Sequence, residues 1–178
     1  MSLKTFDGGL IGNSVYVGID QSYSGFAITL LNDSGYRTTV YKSEKRGIQR
    51  LADINEHLIT ILADKLILDV AIEGYAFGSQ MANMLGELGG MVKLGLYRLG
   101  HYPLIVPPTS LKKYVAGKGT GISKSQMMLY TFKNFGVDLP DDNAADSYGL
   151  AHLVSGKGQL AYQREVCAKL SDPKHREK

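Results

Sequence analysis

Four acids mark where chemistry could sit in this chain. Asp20 closes the apolar run VYVGID, Glu73 closes LILDVAIE, and Asp142 and Asp146 stand one helical turn apart in DDNAADSYGLAHL. A carboxylate ending an apolar run leaves the buried part of a sheet where it can meet water or a metal. Its oxygens are the donors that hard divalent cations take, so three or four acids from separate segments can hold such ions without Cys or His. Each site also has a plainer reading. Asp20 would be a surface acid at a hairpin end, and Asp142 with Asp146 would complement the dipole of a helix start.

A second set of residues carries the opposite charge. Between residues 88 and 137 there is no Asp or Glu, while Lys93, Arg98, Lys112, Lys113, Lys118, Lys124 and Lys133 fall there. Those are seven of the 20 Lys and Arg, leaving 13 against 17 acids elsewhere, so one half of the chain is positive and the other acidic. Four of the lysines belong to TSLKKYVAGKGTGISKSQ, a Gly- and Lys-rich loop whose GKG lacks the spacing of a nucleotide-binding P-loop. It is either a surface turn with solvated lysines or a set of phosphate contacts, with Gly117 and Gly119 allowing close backbone approach. Tyr75 and Phe77, just after Glu73, would pack in the core or stack on an unpaired base.

The elements that must position these groups follow from periodicity. Residues 14–20, 25–31 and 36–42 read as three strands of an antiparallel meander, the last two joined by the turn Asn32-Asp33-Ser34-Gly35. Leu51, Ile54, Leu58, Ile61 and Leu62 recur at helical spacing, predicting an amphipathic helix over 47–65 that packs on the sheet. Residues 66–73 have the length of a buried strand, parallel to the first because a helix precedes them, which brings Glu73 to the sheet edge of Asp20. A Gly-rich helix over 83–100 has either a close core contact or a second subunit against it. A strand over 101–106 stops at Pro107-Pro108. Ser123 caps the next helix, and a last clear helix begins near Asn143.

Composition bounds the rest. The 178 residues, 44% of them hydrophobic, suit one domain with a substantial core. A net charge of +3 and a pI near 8.8 fall short of a strongly basic nucleic-acid binder. A single cysteine, Cys167, excludes an intramolecular disulfide framework and a Cys-based zinc site. No apolar run has membrane-spanning length, and a reducing cytoplasm is the expected home. Residues 1–13 read as a flexible arm, 14–156 as the folded domain and 157–178 as a variable tail with one weak helix and a frayed end.

Taken together, GIDQSYSGFAI, AIEGYAFG, VPPTSLKKYVAGKGTGISKSQM and DDNAADSYGLAHL resemble the RuvC-type Holliday junction resolvases, and within them the bacteriophage branch. The resemblance covers about residues 15–154, with the four motifs in order. It implies an α/β, ribonuclease H-like fold with a mixed five-stranded sheet flanked by helices. It also implies a homodimer in a bacterial host cytoplasm that cuts four-way DNA junctions with a divalent metal. By position, Asp20, Glu73 and Asp146 are the implied catalytic carboxylates. The family's fourth position, commonly Asp or His, falls at Asn143, so Asp142, on the helical face of Asp146, is expected to supply the missing carboxylate, with Asn143 or its bound water as the alternative. Lys112 and Lys124 match family lysines near the scissile phosphate, although the loop before Lys124 is one residue longer here. The family's aromatic wedge corresponds to Tyr75 or Phe77.

The chemistry agrees with this resemblance. Phosphodiester hydrolysis needs an attacking hydroxide, charge relief on the phosphate and stabilisation of the leaving oxygen, which two Mg²⁺ ions, or Mn²⁺ in their place, supply from sites roughly 4 Å apart. Lys112, Lys113, Lys118 and Lys124 would meet DNA phosphates. The expectation is a structure-selective endonuclease making paired nicks in branched DNA, with residues 84–99 as the dimer contact. Two other readings stay open: a junction-binding protein that does not cut, and an actin-like or sugar-kinase-type ATP-binding protein.

Overall fold

A computed structural model describes residues 2–74 and 82–177. One mixed sheet organises them, with strand order β1-β4-β3-β2-β5-β6. The strands are β1 (Ser2–Asp7), β2 (Ser14–Asp20), β3 (Phe26–Leu31), β4 (Tyr36–Lys42), β5 (Leu66–Glu73) and β6 (Leu104–Val106). From β1 to β2 the neighbours are antiparallel, and β2, β5 and β6 are parallel. Strands β2, β4 and β5 therefore all end at the same edge of the sheet.

The two-residue period of a strand decides what each face meets. Val15, Val17 and Ile19 of β2, with Phe26 and Ile28 of β3 and Val70 and Ile72 of β5, pack against α1 (Gly47–Leu62) and α2 (Ala82–Arg98). Leu51, Ile54, Leu58 and Leu62 are the buried stripe of α1, as their spacing predicts. The alternate residues of β2 face the other side, where α5 (Asp142–Val154) crosses so closely that a Cβ on Gly18 would stand 2.0 Å from the Ser147 carbonyl oxygen. Only glycine fits there, and the absence of a side chain brings α5 down onto β2 beside Asp20. A buried hydroxyl chain, Thr38–Thr29–Ser147 at 2.7 and 2.8 Å, fixes the same helix to β3 and β4. Around α5 lie α3 (Pro108–Ala116), α4 (Lys124–Phe135) and α6 (Ala161–Leu170).

Helix boundaries follow the capping rules. Pro108 opens α3 and Gly117 closes it in the left-handed region at φ 77°. Ser123 and Gln126 form the reciprocal capping box of α4. Asp141 caps α5 by accepting from the Ala144 amide, and its other carboxyl oxygen takes the Lys4 ammonium at 2.9 Å.

Two expectations are corrected. Residues 2–7 are not a flexible arm: they form β1, paired along its length with β4 and tied by Lys4–Asp141 and Arg37–Asp7, so the sheet has six strands and not five. Residues 171–176 are not frayed either. After α6 and a 3₁₀ turn at Pro173–His175, Arg176 makes two bonds of 2.8 and 2.9 Å to the Asp69 carboxylate and bridges to Leu104 on the β6 edge. No helix of the described residues is long and apolar enough to cross a membrane.

Inside the α5 layer the Tyr114 hydroxyl meets His152 Nδ1 at 2.8 Å, and burial pulls the imidazole down to about 4. The unfolded chain therefore binds a proton that the folded chain refuses between about pH 6.5 and 4, and stability falls as pH drops through that window. In His152→Asn the melting temperature is expected to lose less between pH 7 and 4.5 than in wild type, as read by thermal scans at both values. Equal losses would show that His152 carries no such linkage.

Candidate active site

The edge where β2 and β5 end is the floor of a cavity of about 770 Å³. Ile19 and Ile72 are the last residues that β2 and β5 pair with each other, so Asp20 and Glu73 follow side by side one residue later. Both have the parity of the α5 face. Asp142 begins α5 and Asp146 lies one turn further along it, so both face the same opening. Lys124, the first residue of α4, also lines it. Five residues drawn from four elements thus share one cavity, joined by Asn143, whose amide packs on the backbone at Gly25: a Cβ there would stand 2.6 Å from Asn143 Nδ2.

Electrostatics shows how close these groups are. Asp20 is 6% exposed; burial first, then the charges of Glu73, Asp146 and Asp142, hold its carboxyl well above the ordinary range against the opposing pull of Lys124. Burial pushes Glu73 up to about 7 against Lys112, and burial with the charges of Glu73 and Asp142 pushes Asp146 to about 8. Asp146 Oδ1 is buried with no hydrogen-bond partner among the described residues. Asp142 is bound to the Lys124 ammonium. A mutually repelling set of acids, Asp20 buried and the others half-buried, with an orphaned oxygen on Asp146, is short of positive charge, and its all-oxygen donor chemistry fits a hard divalent cation. Among the described residues, no three His, Cys, Asp or Glu side chains already converge on one ion position. In this arrangement Asp142 is paired with Lys124 and not with the other acids.

The remaining expected residues divide. Lys112, on α3, is near enough for its charge to act on Glu73 and Asp146. Lys118 is exposed beyond the α3 cap. Lys113 points elsewhere: its ammonium meets Glu165 of α6 at 2.6 Å. Tyr75 and Phe77 lie outside the described residues.

Sequence reasoning missed two parts of the cavity. Gln21 is 5% exposed and its Nε2 donates to the Glu73 carbonyl at 2.7 Å, tying together the ends of β2 and β5. Its place directly after Asp20 was the available signal. The second is the corner between β4 and α1, which brings Lys42, Ser43 and Arg50 into the lining beside Tyr23. There the signal was four cations in the nine residues KSEKRGIQR.

These features define a class: a ribonuclease H-like α/β fold with a carboxylate-lined cavity at the edge where its parallel strands end. The chain shares the fold of Thermus thermophilus RuvC, with a TM-score of 0.63 at 18% identity, covering 90% of this chain and 97% of that one. Against T. thermophilus RuvC in complex with Holliday junction substrate the TM-score is 0.64 at 17% identity, covering 92% and 98%. No family model and no curated protein sequence matches the chain.

Proposed function

We propose that this chain is a divalent-metal-dependent endonuclease that cuts branched DNA, four-way junctions foremost, by nicks paired across a homodimer. The observation that carries the reading is the gathering of Asp20, Glu73, Asp142 and Asp146 from three elements into one cavity of a RuvC-type fold. The neighbour's complex with Holliday junction substrate supports the choice of DNA.

In this reading Asp20, Glu73 and Asp146 hold Mg²⁺ or Mn²⁺, with Asp142 as the fourth carboxylate once Lys124 is drawn from it to the phosphate. When bound, such ions relieve charge on the scissile phosphate and make water a competent nucleophile near neutral pH. The chain's own contribution is placement. Gln21 fixes the strand ends that carry Asp20 and Glu73, Asp141 caps the helix that carries Asp142 and Asp146, and Lys112 and Lys124 add positive charge beside the phosphate. Lys118 extends the DNA contact, while Lys113 is engaged by Glu165. The assay is nicking of an end-labelled four-way junction against linear duplex in Mg²⁺ and Mn²⁺. Junction-selective nicks support the reading; binding without nicks in either metal would leave a junction-binding protein in its place.

The dimer has a physical candidate in α2. Leu88, Val92 and Leu96 bury one side of this helix against the core. On the opposite side Gly86, Gly90, Leu94 and Tyr97 form a stripe in which both glycines have open space and the two large residues are 41% and 59% exposed. Glycines on an outer helical face let a second helix approach closely. Gly90→Arg is expected to weaken self-association at least about tenfold, since it places a charge at a packed apolar contact. Sedimentation over a concentration series checks it; an unchanged association constant removes α2 from the interface.

A further inference from the structure

The corner between β4 and α1 has the build of a ligand contact that the carboxylate site does not explain. Strands β2, β4 and β5 end at the same edge of the sheet. Across that edge run Lys42 at the end of β4, the 22–25 turn, Asp20, Glu73 and then Pro108. Basic groups therefore flank the acids on both sides: Lys112 and Lys124 on α3 and α4, and Lys42 and Arg50 at the corner.

Arg50 is held in place. Its Nε donates to the Lys45 carbonyl at 2.8 Å, one terminal nitrogen donates to the Ser43 carbonyl at 3.1 Å, and its guanidinium lies over the Tyr23 ring at 4.7 Å. The other terminal nitrogen, Nη1, has no partner among the described residues. The loop beneath is braced by Asp53, which takes Lys45 at 2.7 Å together with the hydroxyls of Tyr41 and Ser43. Asp53 is thereby spent on the loop. Neither Lys42 nor Arg50 forms an ion pair among the described residues, and both line the cavity. The first turn of α1 contains no acid to offset them. A guanidinium fixed by two carbonyls and a ring, with one terminal nitrogen unpaired among the described residues and the residue in a cavity lining, suits a phosphate oxygen.

We propose that Arg50 and Lys42 form a second phosphate-binding wall of the cavity, gripping the cut DNA strand away from the scissile phosphate. This rests on the nuclease reading above. Strand β4 lies two strands from β2, about 10 Å at ordinary strand spacing. At roughly 3.4 Å of axial rise per nucleotide, the gripped phosphate is about two to three nucleotides from the cut. Lysines on one side and the corner on the other would fix the strand's path over the acids.

The test measures affinity of the full-length Asp20→Asn protein for a fluorescent four-way junction across a NaCl series. Arg50→Met and Lys42→Met, each added to that parent, are expected to weaken binding about three- to tenfold and to lower the salt slope by about 0.9 per lost contact. Lys174→Met, in the C-terminal turn, should change neither quantity. Arg50 also holds its own loop, so thermal melting accompanies each variant. The Lys42 side chain makes no hydrogen bond among the described residues, and its variant decides the matter if Arg50→Met melts early. Wild-type affinity and slope in Lys42→Met, or an equal loss in Lys174→Met, overturns the second wall while the nuclease reading stands. A parent that does not bind the junction overturns both.

Discussion

Asp20→Asn is expected to lower nicking of a four-way junction about 10³-fold or more while leaving junction binding intact or tighter. Asparagine keeps the shape and removes the charge. Asp20 is 6% exposed and subject to the charges of Glu73, Asp146 and Asp142, so its loss would strip the proposed cation site of its most enclosed donor. Binding gains because one anion beside incoming phosphates disappears. Gel assays of labelled junction in Mg²⁺ and anisotropy in EDTA separate the two effects. Nicking at the wild-type rate would remove Asp20 from the catalytic set.

The second large effect is on stability and has the opposite sign from an ordinary core substitution. Asp146→Asn should raise the melting temperature of the metal-free protein. The Asp146 carboxyl is pushed from the usual 3.8 to about 8 by burial and by Glu73 and Asp142, so the folded chain binds a proton that the unfolded chain has already released. Its contribution favours folding at low pH and is lost as pH rises from about 4 through 8. The variant lacks this loss. Its advantage should be near zero at pH 4 and reach about 1–2 kcal/mol at pH 8, because the neighbouring acids share the repulsion. At about 2–4 °C per kcal/mol for a chain of this size, that is a gain of several degrees in EDTA. Added Mg²⁺ should then stabilise wild type more than the variant. A variant that melts lower than wild type at pH 8 in EDTA would mean that Asp146 is satisfied in the folded chain and is not waiting for a cation.

How much of this was legible in the sequence depended on how local its cause is. The bounds of β2, β4 and β5 follow from apolar runs and turns, and parallel pairing of β5 with β2 brings Asp20 and Glu73 together from 53 positions apart. The turn spacing of Asp142 and Asp146 survives because α5 begins at Asp142, with Asp141 as its cap. Strand β1 was hidden because its residues are mostly exposed and show no burial alternation. It is held by main-chain pairing to β4 and by Lys4–Asp141, a contact across 137 positions. The docking of residues 173–176 rests on Arg176–Asp69, again without a local signature. The lysine stretch was read as one surface, yet a helical neighbour turns Lys113 to Glu165. Conversely, the cations of the β4–α1 corner lie far from that stretch in sequence and meet the same cavity, because β4 ends at the edge where Asp20 does.

The central claim is that these carboxylates share one cation site. Crystals soaked in Mn²⁺ and measured at the manganese absorption edge test it most directly. The account predicts anomalous peaks within coordination distance of Asp20, Glu73 and Asp146, with Asp142 released from Lys124 to join them. Crystals that show manganese only elsewhere on the molecule, or none at concentrations that support nicking, would contradict it.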